Sequence, residues 1–146
     1  MAKDFSALLD ELKGYDFSGM YDADFLHTWD KTTDELRALY VVAAALRNLR
    51  ERNISPRIFD SGLAVSLFRD NSTRTRFSFS KATNLLGLQL QDLDEGKSQI
   101  AHGETVRETA TMISFMADVI GIRDDMYIGK GDAYMAEVAE SVDEAY

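Results

Sequence analysis

The sequence predicts an α/β protein with a three-layer architecture, a parallel sheet with helices on both faces. Three short segments are predicted as strands, 63–68, 88–93 and 119–122, and each is followed by a helical pattern. The first is an apolar run that Gly62 precedes and polar residues follow, as expected of a buried strand. Alternation of strand and helix implies right-handed crossovers and therefore parallel strands.

Two further helices are predicted before the first strand. Apolar residues spaced by three and four positions indicate an amphipathic helix over 5–12, with Asp4 as its cap. The second helix begins at the capping box Thr32-x-x-Glu35 and ends near Arg52. Both helices need a partner surface to bury their apolar stripes.

The helices after the strands also have recognisable ends. Ser72 is the predicted N-cap of a helix that runs to Gly87, a typical C-cap residue. Glu104 is predicted to start the next helix, and Asp132 to cap the last one. Three strands make a narrow sheet for this pattern, so a further strand is expected after Tyr146, and the chain looks truncated.

Composition narrows the class of protein. The 146 residues, 45% hydrophobic and 28% charged, suit one soluble domain over 1–146. A net charge of −9 argues against a general nucleic-acid surface or an anionic-membrane surface. The chain has no cysteine, its start lacks an apolar signal region, and its longest apolar stretch, 41–46, is too short to span a bilayer. These observations favour a cytoplasmic protein.

The segment Ser72-Thr73-Arg74-Thr75-Arg76 combines several anion-binding groups. A helix N-terminus offers unpaired backbone N–H groups and the positive end of the helix dipole. Three hydroxyls and two guanidinium groups stand in the same turn. An ordinary solvated first turn is the alternative, but two arginines there oppose the dipole preference, which favours an anionic partner.

Two other polar features are predicted at the carboxyl end of the sheet. Arg123 follows the third strand and can reach an anion on the Ser72 turn if the two strands are neighbours; a simple ion pair with Asp124 or Asp125 is the alternative. Ser98, Gln99 and His102 form a polar cluster, which by itself indicates a solvated loop. His102 has no second ligand at a suitable spacing, so no metal site is predicted. No cofactor is predicted either.

These motifs together resemble the aspartate/ornithine carbamoyltransferase family. The resemblance rests on Phe68-x-x-x-Ser72-Thr73-Arg74-Thr75-Arg76 with Ser78-Phe79, on Ser98-Gln99-Ile100-Ala101-His102-Gly103-Glu104, and on Ile122-Arg123, in the family's order. It covers the chain from about residue 30 and is greatest with the knotted carbamoyltransferase subgroup. The family's His-Pro-x-Gln segment does not occur in this sequence.

The resemblance implies the N-terminal, carbamoyl-phosphate-binding half of a two-domain enzyme that works as a homotrimer. Ser72, Thr73, Arg74 and Thr75 would bind the phosphate, with Thr75 and Arg123 also contacting the carbonyl oxygen. Gln99, together with Ser98 and His102, would enter a neighbouring subunit's site. The acceptor would be an unassigned, amino-acid-like amine or amide, and the domain that binds it is absent from these 146 residues.

Two other functions compatible with the same turn stay open. One is a non-catalytic phosphate-binding or regulatory module that keeps the anion site without the chemistry. The other is a general binder of sugar phosphates or nucleotides. Both would use the helix N-terminus in the same way.

Overall fold

The structure is a computed structural model that describes residues 4–69, 71–94 and 102–143. It divides into two compact units, Met1–Pro56 and Arg57–Tyr146. The first is helical and the second contains the sheet. None of the described helices combines the length and the apolar character needed to cross a membrane. The expectation that residues 1–146 form one binding domain stays a prediction.

In the first unit two helices pack against each other. Helix α1 spans Phe5–Leu12 and helix α2 spans Thr33–Glu51. Leu8 of α1 is buried with Val41 and Ala45 of α2, which is how the two apolar stripes are covered. Asp4 occupies the N-cap position of α1, as predicted, but its side chain accepts no capping hydrogen bond.

The predicted capping box at the start of α2 is confirmed. The Thr32 hydroxyl accepts a hydrogen bond from the Glu35 backbone N–H at 3.2 Å, and the Glu35 carboxylate accepts one from the Thr32 N–H at 2.7 Å. Both amides would otherwise lack a partner, because the first N–H groups of a helix have no intrahelical acceptor. Two short 3₁₀ turns precede it, Ser18–Met20 and Thr28–Asp30.

Three parallel strands form the sheet of the second unit, in the order β2-β1-β3. Strand β1 spans Leu63–Phe68, β2 Gln89–Asp92 and β3 Val119–Arg123. The first strand is as predicted, the second is shorter at both ends, and the third includes Arg123. The central strand β1 pairs with both neighbours, which explains why its segment is the most apolar of the three.

Three helices connect and follow these strands. Helix α3 spans Thr73–Leu86, α4 Val106–Ser114 and α5 Gly131–Asp143. Val65 and Leu67 of β1 share a buried cluster with residues of α4 and α5. Phe68 points to the opposite face, because side chains alternate along a strand. There its ring packs edge-to-face against that of Phe79 on α3, with 5.4 Å between the ring centroids. The predicted helices on both faces are therefore confirmed.

The ends of these helices differ in part from the prediction. Gly87 is the C-cap of α3 with φ +105°, the left-handed conformation that glycine adopts without strain, as predicted. Helix α4 begins at Val106 rather than at Glu104, because Thr105 forms a second capping box with Glu108. Helix α5 begins at Gly131, so Asp132 lies in its first turn and is not the cap.

The α4 capping box predicts a pH dependence of stability. The Thr105 backbone N–H, and then its hydroxyl, donate to the Glu108 carboxylate and hold its pKa below the ordinary value of 4.5. A lowered folded-state pKa stabilises the fold above the unfolded-state pKa, and this stabilisation is lost as the pH falls through the folded value. Wild type should therefore exceed Glu108→Gln in stability at pH 7 and lose that advantage progressively below pH 4.5.

Urea unfolding of the complete protein between pH 7 and pH 3 measures this difference. Glu140→Gln is the control. Glu140 is exposed on α5, so this substitution removes the same charge without affecting the α4 capping box. A difference between wild type and Glu108→Gln that is constant with pH would contradict the assignment.

Candidate functional site

The order of the strands reverses between β1 and β3, and the carboxyl ends of these two strands lie side by side. After β1 the chain passes through α3 to β2 on one side, whereas β3 lies on the other side of β1. Crevices of this kind, at a switch of strand order, are where ligands bind in open parallel sheets. Two predicted features meet there, the N-terminus of α3 and Arg123.

The start of α3 presents its hydroxyls to the neighbouring strand. Ser72 occupies the N-cap position, but its side chain makes no capping hydrogen bond, which corrects that part of the prediction. Its Oγ lies instead 3.0 Å from the Thr75 Oγ1. The first N–H groups of the helix therefore have neither an intrahelical acceptor nor the Ser72 hydroxyl as a cap. An anion at this position would supply acceptors for them.

Arg123 joins the end of β3 to this turn. Its Nη1 donates to the Ser72 Oγ at 2.9 Å and to the Thr75 Oγ1, while its Nη2 donates to the Asp125 Oδ2 at 2.6 Å. Both alternatives from the sequence, a contact with the turn and an aspartate pair, therefore occur together. The Arg69 backbone N–H also donates to the Arg123 carbonyl at 3.0 Å, which aligns the two strand ends.

Two other arginines hold the edge of the sheet together. The Arg76 Nη1 donates to both carboxylate oxygens of Asp92 at 2.9 and 2.7 Å, and its Nη2 donates to the Phe68 carbonyl at 2.6 Å. This arrangement ties α3 to the ends of β1 and β2. A planar guanidinium suits such a three-way contact because its donors are fixed in a fork.

Arg69 forms the corresponding contact toward α5. Its Nη1 lies 2.8 Å from the Asp124 Oδ2, and its guanidinium lies over the Tyr134 ring at 4.4 Å. The Asp124 side chain is only 4% exposed, so its charge depends on this partner. The sequence reasoning missed the roles of Arg69, Asp92 and Asp124. The available signal was opposite charges at the ends of adjacent parallel strands.

Arg74 differs from the three arginines just described. It is exposed in the first turn of α3, and it forms no hydrogen bond or ion pair with any residue in the described ranges 4–69, 71–94 and 102–143. Thr73 beside it is exposed as well. A guanidinium held at a helix N-terminus without a carboxylate partner is suited to an external anion.

The remaining predicted residues are placed differently. Ser98 and Gln99 lie outside the described residues. His102 is exposed and makes no hydrogen bond with the described part of the chain. Within that part, no group of three or more His, Cys, Asp or Glu side chains is arranged to hold a metal ion.

The turn can therefore offer three kinds of donor to one ligand. Backbone N–H groups and hydroxyls surround one side, Arg74 extends from the helix start, and Arg123 approaches from β3. This donor set suits a small anion such as phosphate. Residues 23–143 match the sequence model of the aspartate/ornithine carbamoyltransferase, carbamoyl-P binding domain. The chain belongs to this family.

Individual relatives agree with this assignment. A protein of Escherichia coli (strain K12) named "Putative carbamoyltransferase YgeW" is 66% identical over 129 residues, which are 88% of this chain and 33% of that protein. The "Ornithine carbamoyltransferase, catabolic" of Treponema denticola is 34% identical over 116 residues, 80% of this chain and 34% of that protein. The chain thus spans about a third of the length of these curated relatives.

A solved structure shows the same fold. Aspartate transcarbamoylase from Trypanosoma cruzi, in complex with carbamoyl phosphate and aspartate, superposes with a TM-score of 0.75 at 19% identity. The match covers 86% of this chain and 37% of that chain. Residues 23–143 thus correspond to the carbamoyl-P binding domain of this family, and the solved structure shares its fold.

The close approach of Phe79 on α3 to Gly121 on β3 predicts that the stability of the fold depends on a small residue at position 121. A Cβ at position 121 would lie 2.6 Å from the Phe79 ring, so Gly121→Ala should displace α3 from β3 and cost about 1–3 kcal/mol of stability. Urea unfolding of the complete protein measures the loss. The double variant with Phe79→Leu frees space and should lose less than the sum of the two single changes. Additive losses would contradict a direct contact.

Proposed function

We propose that the complete protein transfers the carbamoyl group of carbamoyl phosphate to a nitrogen of an amino-acid-like acceptor, and that this chain supplies the carbamoyl-phosphate side of the site. The observation that carries the proposal is the exposed Arg74, which has no ion-pair partner among the described residues, beside a helix start whose first N–H groups have no intrahelical acceptor and no cap from the Ser72 side chain. The other arginines at this edge have carboxylate partners.

The proposed roles follow from position. Ser72, Thr73 and Arg74 bind the phosphate with the backbone N–H groups of the first turn of α3. Thr75 and Arg123 donate to the carbonyl oxygen, since the Arg123 Nη1 already meets the Thr75 hydroxyl. Backbone N–H groups, hydroxyls and guanidinium groups then hold the phosphate and the carbonyl in a fixed relative position, which orients the carbonyl carbon for attack.

The reaction needs these donors because of where charge develops. The acceptor nitrogen attacks the carbonyl carbon with its lone pair, and negative charge grows on the carbonyl oxygen. The bond from carbon to the bridging oxygen then breaks, phosphate leaves with that electron pair, and the departing phosphate takes up the proton that the acceptor nitrogen loses. Thr75 and Arg123 stabilise the charge on the first oxygen, and Arg74 with the helix N-terminus stabilises the departing phosphate.

A homotrimer with sites shared between subunits is part of the proposal. The first turn of α3 covers only part of a phosphate and its carbonyl, so further donors are needed to exclude water from the ligand. Gln99, with Ser98 and His102, would supply them from the adjacent subunit, as the family resemblance implies. A cytoplasmic location also stays a prediction.

The anion role of Arg74 is tested by substitution. Arg74→Ala should weaken binding of carbamoyl phosphate and of inorganic phosphate by roughly 1.5–3 kcal/mol, the range for a hydrogen bond to a charged group. Calorimetry on the complete protein measures both affinities. Lys81→Ala is the matched control, because Lys81 is exposed on the same helix about 10 Å further along its axis. Equal phosphate affinities in wild type and Arg74→Ala would assign the turn to structure alone.

The shared site is tested by mixing two inactive variants of the complete protein. Arg74→Ala removes the phosphate contact, and Gln99→Ala removes the contact proposed to come from the neighbour. Hybrid trimers should regain carbamoyltransferase activity, because some interfaces then combine two intact halves. Each variant reassembled with itself is the control. Confirmed hybrids that stay as inactive as their parents would show that Gln99 serves its own subunit or none.

A further inference from the structure

Asp125 contacts the Arg123 guanidinium through a different nitrogen from the one that contacts the α3 turn. The Arg123 Nη2 donates to its Oδ2 at 2.6 Å, while the Nη1 of the same guanidinium donates to the Ser72 and Thr75 hydroxyls. The Asp125 side chain is 54% exposed. One arginine is thus divided between a carboxylate and the groups proposed to bind the ligand.

The other two ion pairs at this edge serve a different purpose. Asp124 is almost fully buried against Arg69, and Asp92 accepts from both Arg76 and the Ser66 hydroxyl. Those carboxylates hold elements of the fold together. Among the paired arginines in the described part of the chain, Arg123 is the one that also contacts the hydroxyls of the turn.

A carboxylate in this position weakens the field that an incoming anion meets. Its negative charge offsets the guanidinium charge of Arg123, and it repels an anion placed on the turn. The Asp125–Arg123 pair is also easily opened, because water screens an exposed ion pair and solvates its carboxylate when the pair separates. A ligand that takes up Arg123 can therefore displace Asp125 from it.

We propose that Asp125 is a displaceable counter-ion of Arg123 that limits the affinity of this site for phosphate-bearing ligands. The inference rests on the proposed function, since it assumes that the α3 turn binds the anion. Any phosphate at the turn competes with Asp125 for Arg123. The site consequently releases phosphate, the product of carbamoyl transfer, more readily than the turn and Arg123 would without it.

The test uses inorganic phosphate as the probe and the complete protein. Asp125→Asn should bind phosphate about threefold to tenfold more tightly than wild type at low ionic strength. The gain should shrink as salt is added, because screening reduces charge effects at exposed sites. Asp125→Glu keeps the charge and should stay near wild type. Glu140→Gln removes one negative charge from the exposed surface of α5 and should also leave the affinity near wild type.

A double-variant cycle separates competition for Arg123 from a general change in charge. In an Arg123→Gln background the gain from Asp125→Asn should disappear, because the shared guanidinium is gone. A gain that persists there, or an equal gain in Glu140→Gln, overturns the inference. Unchanged or weaker binding in Asp125→Asn overturns it as well. Wild-type protein that binds no phosphate would instead overturn the proposed function, so the two failures are distinct.

Discussion

The hydrogen bonds from Arg123 to Ser72 and Thr75 are the contacts on which the site depends. They connect the last residue of β3 to the first turn of α3, elements that are separated by about fifty residues in the chain. Without them the helix start would be an ordinary solvated turn. With them, the hydroxyls of the turn and the Arg123 guanidinium are held together at the same end of the sheet.

The same edge of the sheet concentrates positive charge in a chain whose net charge is −9. Paired carboxylates balance most of that charge. Asp124 and Asp92 turn two arginines into structural links between strand ends. Arg74 keeps its charge available, and Arg123 is divided between the turn and Asp125. The result is a small group of basic side chains rather than a broad basic surface, which suits a small anion better than a polyanion.

Local sequence patterns predicted most of the fold for identifiable reasons. The capping box at Thr32, the left-handed Gly87 and the central strand β1 depend on contacts within a few residues or on one strongly apolar run. Errors arose where two local signals competed. Glu104 is acidic and near a helix start, but the cap belongs to Thr105, because its hydroxyl and Glu108 satisfy two backbone amides together.

The sequence by itself determined the strand–helix alternation, the turn rich in hydroxyls and arginines after the first strand and, through its motifs, the carbamoyltransferase family. Only the tertiary structure decided which charges are available to a ligand. The strand order places β1 between β2 and β3. The ends of these strands are therefore close enough for Arg76 to pair with Asp92 and for Arg69 to pair with Asp124. The physical reason is that ion pairing depends on distances of a few ångströms between chain segments whose separation no local pattern encodes.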